Sequence, residues 1–309
     1  MERFDGTAAL PERFRGGAIA LGNFDGFHLG HKAVVGRAVG RARAEGRPAL
    51  VGTFDPHPAR LFSPSIEPIA LTTMEQRLAL MADAGVDAAV VWHFDRTLAG
   101  VSAADFMAHA LRDVVGAAHV VTGWDFTFGA RRGGGAAMLA EAGPTAGFTA
   151  EALGAVMLDG APVSSTRVRE ALRDARPDAA ARLLGRPFSI LGAVEHGAKM
   201  GRTLGFPTAN LRLGEYVRPA YGVYAVRVVL PGGEWRDGVA NLGVRPMFEP
   251  PVELLETFIF DFNGDLYGRE IEVELIAYLR PEWKLDGLEA LRVQVEADKV
   301  AARAVLAAG

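Results

Sequence analysis

The apolar positions in the first half of the chain fall in short, nearly solid runs, and longer stretches with helical period lie between them. Residues 18–21, 49–54, 86–92 and 119–122 are such runs, and an apolar run without polar alternation marks a strand buried on both faces. Residues 30–45 place Ala33, Val34, Ala38 and Ala42 near a 3.6-residue period, which predicts a helix. Thr73-Met74-Glu75-Gln76 has the form of a capping box, and Ser102-Ala103-Ala104-Asp105 reads as a second helix start. Strand and helix in alternation predict a parallel, Rossmann-like α/β sheet covered on both faces. Ligands of such sheets bind beyond the carboxyl ends of the strands.

The second half reads differently. Residues 223–230, 235–241, 254–260 and 271–278 are strand-like, with Pro231-Gly232-Gly233 and Asn263-Gly264 as turns and no helical stretch between them. This pattern predicts an antiparallel sheet or small barrel. A last helix is expected over 288–306, with Leu288, Leu291, Val295, Ala302 and Val305 on one face. The pattern changes over 176–188, so the expected domains are 1–183 and 184–309.

Composition narrows the partners. The 309 residues include 33 basic and 37 acidic side chains, mixed along the chain, for a net charge of -4. A nucleic-acid binder carries a basic excess or stripe, and none is visible, so no nucleic-acid partner is expected. The absence of cysteine removes disulfides, thiolate nucleophiles and cysteine zinc sites. No apolar run approaches the roughly 18 residues of a membrane span, and the first 15 residues lack a signal-type apolar core. A cytoplasmic protein without a membrane partner is the expectation. Oligomeric state is not legible.

Two motif groups carry candidate chemistry. The first is Gly22-Asn23-Phe24-Asp25-Gly26-Phe27-His28-Leu29-Gly30-His31, placed where a strand turns into a helix. Helix-start N–H groups attract phosphate, and histidines beside them can stabilise charge developing in a transition state. A zinc pair or surface histidines is the plainer reading of His28 and His31 alone. Three further segments lie at expected strand or helix ends: Thr53-Phe54-Asp55-Pro56-His57-Pro58, Gly123-Trp124-Asp125-Phe126-Thr127-Phe128-Gly129, and Ser164-Ser165-Thr166-Arg167-Val168-Arg169. Each has a bland alternative, respectively a rigid turn, an aromatic core and an N-cap.

The second group is Gly201-Arg202-Thr203-Leu204-Gly205-Phe206-Pro207-Thr208-Ala209-Asn210. Its glycines could arch over phosphates, and Thr208 and Asn210 offer neutral oxygens suited to a hard cation such as Mg²⁺. A tight turn before a strand is the alternative. There is no P-loop.

Taken in order, these motifs resemble the bifunctional riboflavin kinase/FMN adenylyltransferase family, over roughly residues 18–298. Pro219-Ala220-Tyr221-Gly222-Val223-Tyr224, Asn241-Leu242-Gly243-Val244-Arg245-Pro246, Asp265-Leu266-Tyr267-Gly268 and Leu279-Arg280-Pro281-Glu282 extend the likeness. The resemblance implies a nucleotidyltransferase domain followed by a small antiparallel barrel with a C-terminal helix. It implies that riboflavin, FMN and ATP are the small-molecule substrates. Gly22, Asn23, Phe24, His28, Gly30, His31, Ser164, Ser165, Thr166 and Arg169 are then expected at ATP in the first domain. Gly201, Thr208 and Asn210 are expected at ATP in the second, the last two also at Mg²⁺. Asp55, Pro56, His57, Pro58, Phe62, Asp125, Phe128 and Arg280 are expected at the flavin, and Glu256 as the base of the phosphoryl step. Phe27, Met247 and Leu285 depart from the family's usual residues. A chain with only the kinase activity, or a flavin-binding regulator without turnover, remains open on the sequence.

Overall fold

The computed structural model describes residues 1–63, 65–196, 206–245, 252–284 and 286–308. The chain divides into two compact units, Met1–Glu67 with Thr72–Ser164, and Pro68–Leu71 with Ser165–Gly309.

The first unit is built on β1 (Glu2–Phe4), β2 (Ala18–Leu21), β3 (Ala49–Asp55), β4 (Ala88–His93) and β5 (His119–Gly123). A short ribbon of β6 (Thr127–Phe128) and β7 (Gly134–Gly135) follows, then β8 (Thr149–Leu153) and a small hairpin of β9 (Met157–Leu158) and β10 (Ala161–Pro162). The main sheet is parallel, in the order β1-β4-β3-β2-β5-β8. Helices α1 (Leu29–Ala44), α2 (Pro58–Phe62), α3 (Met74–Asp83), α4 (Arg96–Gly100), α5 (Ala103–Asp105) and α6 (Ala136–Ala146) connect it. Beyond α5 the helix widens to π geometry at Phe106–Val115 and stops at Gly116, whose φ of 62° is left-handed.

Both parities of the central strands are buried, as the apolar runs require. Ile19, Leu21, Leu50, Val90 and Val120 pack with Phe106, Leu111 and Leu139. Ala20, Val51, Ala89 and Val121 pack with Val34, Val35 and Ala38 of α1 and Met81 of α3. The strand order reverses beside β2, with β3 and β4 on one side and β5 and β8 on the other. Such a reversal opens a crevice at the carboxyl ends of the strands, where the His28 loop lies.

The second unit contains α7 (Ser165–Arg173), α8 (Pro177–Leu184) and a six-stranded sheet. Its strands are β11 (Phe188–Ala193), β12 (Ala209–Arg212), β13 (Gly222–Val229), β14 (Trp235–Arg245), β15 (Val252–Ile259) and β16 (Glu270–Arg280). They are antiparallel neighbours in the order β11-β16-β13-β14-β15-β12. Glu195 N–H donates to the Asn210 carbonyl at 2.9 Å, a bridge that brings the two end strands together and nearly closes a barrel.

The final helix, α9 (Gly287–Ala308), buries Asp298, Ala302 and Leu306. Ala302 and Leu306 pack on Val223, Ala225, Val239 and Phe260. The expected apolar face needs correction at its ends, because Leu288 is 59% and Val305 37% exposed. The inward position after Val295 is Asp298, a residue that an apolar pattern passes over.

Candidate active sites

In the first unit, β2 is followed by Gly22, whose N–H donates to the Gly52 carbonyl at 3.1 Å. The chain then turns sharply. Phe24 and Phe27 have φ of 52° and 42°, and the Phe27 N–H donates to the Phe24 carbonyl at 3.0 Å. Left-handed backbone at bulky residues costs about 1–3 kcal/mol each and persists only where the surroundings fix it. Here both rings are buried in the α1 face of the core. Phe27, the departure from the family's usual small residue, is thus accommodated as a core anchor.

The turn delivers His28 to the N-cap of α1, and its Nδ1 accepts the His31 N–H at 3.3 Å. With Nδ1 as acceptor, the proton of a neutral His28 ring belongs on Nε2. The His28 and His31 rings stack at 3.6 Å with an interplanar angle of 17°, and Phe24 meets His31 edge-on at 5.3 Å. A Cβ at Gly30 would lie 3.1 Å from His28 Cε1, so glycine leaves the space that the ring fills. Gly22, Asn23, Phe24, His28, Gly30 and His31 are therefore brought together in one turn at the carboxyl end of the sheet.

The β3 end carries Asp55, Pro56, His57 and Pro58, with a cis Asp55–Pro56 peptide. His57 caps α2, its Nδ1 accepting the Ala59 N–H at 3.2 Å. Phe62 is 69% exposed and touches Phe94 edge-on at 6.1 Å. After β5, Asp125 is exposed, whereas Phe128 is buried against Phe106 and Phe126. The motif thus contributes one core ring and one accessible carboxylate. Ser164 ends the first unit, and Ser165, Thr166 and Arg169 belong to α7 of the second. Arg169 Nε donates to the Ile69 carbonyl at 2.8 Å.

Arg77 and Thr72, beneath the His28 turn, carried no signal of their own in the sequence. Arg77 of α3 is buried, donates from one terminal nitrogen to the Asn23 carbonyl at 3.0 Å, and lies 3.5 Å from Asp25. Asp25 accepts the Thr72 N–H at 3.2 Å, and Thr53 Oγ1 donates to the same Asn23 carbonyl at 3.1 Å. Burial lowers the Arg77 pKa, opposed by the charges of Asp25 and Asp55.

In the second unit, strand pairing assembles a site from three strands. Glu256 on β15 is directly opposite Asn210 of β12 on one side and Asn241 of β14 on the other. Opposed residues share a sheet face, so a carboxylate stands between two amides. Thr208 Oγ1 lies 3.4 Å from Asn210 Oδ1. Asn241 Nδ2 donates to Glu282 at 3.1 Å, while its buried Oδ1 has no hydrogen-bond partner among the described residues. Asn241 stood in a recognised motif without an assigned role, and only the β14–β15 register reveals it beside Glu256. Thr208 and Asn210 suit a hard cation that keeps several waters and binds substrate phosphates. No cluster of three His, Asp or Glu that would bind a metal by itself occurs among the described residues.

Arg280, expected at the flavin, is tied to the final helix. Its Nε and one terminal nitrogen bind Asp298 of α9 at 2.7 and 2.6 Å, and the other donates to the Pro281 carbonyl at 2.9 Å. Its guanidinium also lies 4.5 Å from the Trp283 ring centre. Gly201, Met247 and Leu285 lie outside the described residues.

Known proteins share this arrangement. The FAD synthetase family matches residues 10–167, and the riboflavin kinase family residues 184–306. A bifunctional riboflavin kinase/FMN adenylyltransferase from Pseudomonas fluorescens is 43% identical over 99% of this chain and 98% of its own. One so named from Listeria monocytogenes is 37% identical over 94% of this chain and 92% of its own. A crystal structure titled as a macrolide-efflux protein from Streptococcus pneumoniae superposes with a TM-score of 0.86 at 29% identity, over 97% of this chain and 98% of that one. Matching both domain families, and relatives of this similarity along nearly their whole length, the chain belongs to the bifunctional riboflavin kinase/FMN adenylyltransferase family.

Proposed function

We propose that this chain makes FAD from riboflavin in two ATP-dependent steps, one in each of the two domains that the sequence divides near residue 184. The observation that carries the reading is the presence, in a chain matching both families, of two unlike sites: a capped histidine pair at a helix start and a carboxylate between two amides.

In the first step the ribityl 5′-hydroxyl attacks the γ-phosphorus of ATP, ADP leaves, and Glu256 accepts the hydroxyl proton. Asn210 and Asn241, opposed to it across the sheet, orient the reacting groups in this reading. Thr208 and Asn210 would hold Mg²⁺, which when bound offsets phosphate charge. In the second step an FMN phosphate oxygen attacks the α-phosphorus of ATP and pyrophosphate leaves. No covalent enzyme intermediate is needed, because the nucleophile is already anionic. The task is alignment and charge stabilisation. His28 and His31 supply ring donors, and the start of α1 supplies backbone N–H groups. Ser164, Ser165, Thr166 and Arg169 are assigned to ATP, and the Asp55–Pro58 loop, Phe62 and Asp125 to the flavin. No helix among the described residues is long and apolar enough to cross a membrane, and we assign the reaction to the cytoplasm.

The by-products test the two assignments separately. Purified protein given riboflavin and ATP should release ADP as FMN forms, and given FMN and ATP should release pyrophosphate as FAD forms. ADP without pyrophosphate would leave only the kinase assignment standing.

A further inference from the structure

We infer that Arg77 is a positioning residue for adenylyl transfer, holding the loop that follows β2 in its working geometry. The inference rests on the FMN-adenylylating reading of the first unit. Arg77 does not belong to that loop. It is carried by α3, whose start is fixed by a reciprocal capping box: Gln76 N–H to Thr73 Oγ1 at 3.1 Å and Thr73 N–H to Gln76 Oε1 at 3.0 Å. A rigid helix start is thus used to aim a long side chain beneath the His28 turn.

Three observations support the role. Arg77 is only 5% exposed, and a buried guanidinium is retained where its charge and donors are used. Its donors meet the turn at two points, the Asn23 carbonyl at 3.0 Å and Asp25 at 3.5 Å. Asp25 in turn accepts the N–H of Thr72, and Thr72 Oγ1 accepts the Gly26 N–H at 3.1 Å. The backbone from Asn23 to Gly26, immediately before His28, is therefore fastened to α3 and the segment before it. Finally, strand β3 meets the turn at the same point as Arg77. Thr53 of β3 donates to the same Asn23 carbonyl, so one backbone oxygen receives donors from both β3 and α3. The Arg77 Nε has no hydrogen-bond partner among the described residues. The guanidinium's hold on the turn thus comes from its terminal nitrogens.

Two left-handed phenylalanines in the turn are strained backbone that persists only where its surroundings fix it, and the clamp is part of those surroundings. Displacing the histidine pair by about 1 Å would cost turnover on the order of 100-fold, with less effect on substrate capture.

The test uses the full chain, with FMN-to-FAD and riboflavin-to-FMN conversion measured on the same preparations. Arg77→Gln should lower kcat for FAD formation by about 100-fold, leave the ATP KM within a few fold, and leave riboflavin phosphorylation unchanged. Arg77→Lys, keeping the charge with a single donor point, should recover part of the loss. Asp25→Asn, nearly isosteric, should lower the same kcat if Arg77→Gln proves too unstable to assay. Equal kcat in folded Arg77→Gln and wild type would overturn the inference while leaving the proposed function intact. So would a loss that follows thermal unfolding and disappears in the cold. A wild-type protein that forms no FAD would instead remove the adenylylating reading, and the role of Arg77 with it.

Discussion

The His28 imidazole caps the helix that carries His31 and stacks on the His31 ring at 3.6 Å. The pair is one unit, set by a glycine between its members and by two buried phenylalanines before it. Neither ring can be moved without disturbing the other.

Gly30→Ala tests that unit without removing a histidine. Its Cβ would meet the His28 ring at 3.1 Å, a contact tight enough that the ring must give by a few tenths of an ångström. We expect FAD formation to fall about tenfold or more, with riboflavin phosphorylation unaffected. Measuring both conversions on one preparation checks it.

Arg280 and Asp298 tie the end of β16 to α9 through two short hydrogen bonds in a mostly buried setting. Removing one partner leaves the other's charge uncompensated, which costs about 3 kcal/mol or more. Asp298→Ala should lower the melting temperature of the barrel unit and weaken riboflavin phosphorylation. Differential scanning calorimetry, combined with the two activity assays, measures both effects.

Glu274 on β16 has its pKa pushed up from 4.5 to about 7, by burial first and by neighbouring Glu272 second, with Arg227 and Arg186 opposing. The folded protein therefore holds a proton that the unfolded chain has released. Stability is fully present below about 4.5 and is lost as pH rises through about 7. Glu274→Gln should thus stabilise the protein above pH 7 and not below the ordinary glutamate range. The gain, reduced for partial solvation, is on the order of 1–2 kcal/mol. Denaturant melts at acidic and alkaline pH read it directly.

Much of this architecture was legible because its cause is local. The run at 18–21 is β2, the Thr73 capping box starts α3, and the four long antiparallel strands fall where alternation and turns place them. The edge strands β1 and β8 and the short β12 were not anticipated. β12 has only four residues, one of them polar Asn210, and exists through its pairing with β15. The inward face of α9 was misread at Asp298 because a carboxylate there makes sense only beside Arg280, 18 residues earlier. The same reason hid Arg77. Sequence shows Asp25 inside a motif but cannot show which distant cation lies under it. The contiguous residues of the His28 turn could be read from the chain as one group, whereas the placement of Asn241 beside Glu256 is made by register and required the fold.

The most direct test of the central claim is a time course of riboflavin, FMN and FAD with ATP and Mg²⁺, run on wild type, Glu256→Gln and His31→Ala. Wild type should form FMN and then FAD. Glu256→Gln should lose riboflavin phosphorylation by about 10²–10⁴-fold yet still adenylylate added FMN. His31→Ala should accumulate FMN without FAD. A wild-type protein that forms FMN but never FAD, even from added FMN, would contradict the account, as would a single variant that abolishes both steps in a folded protein.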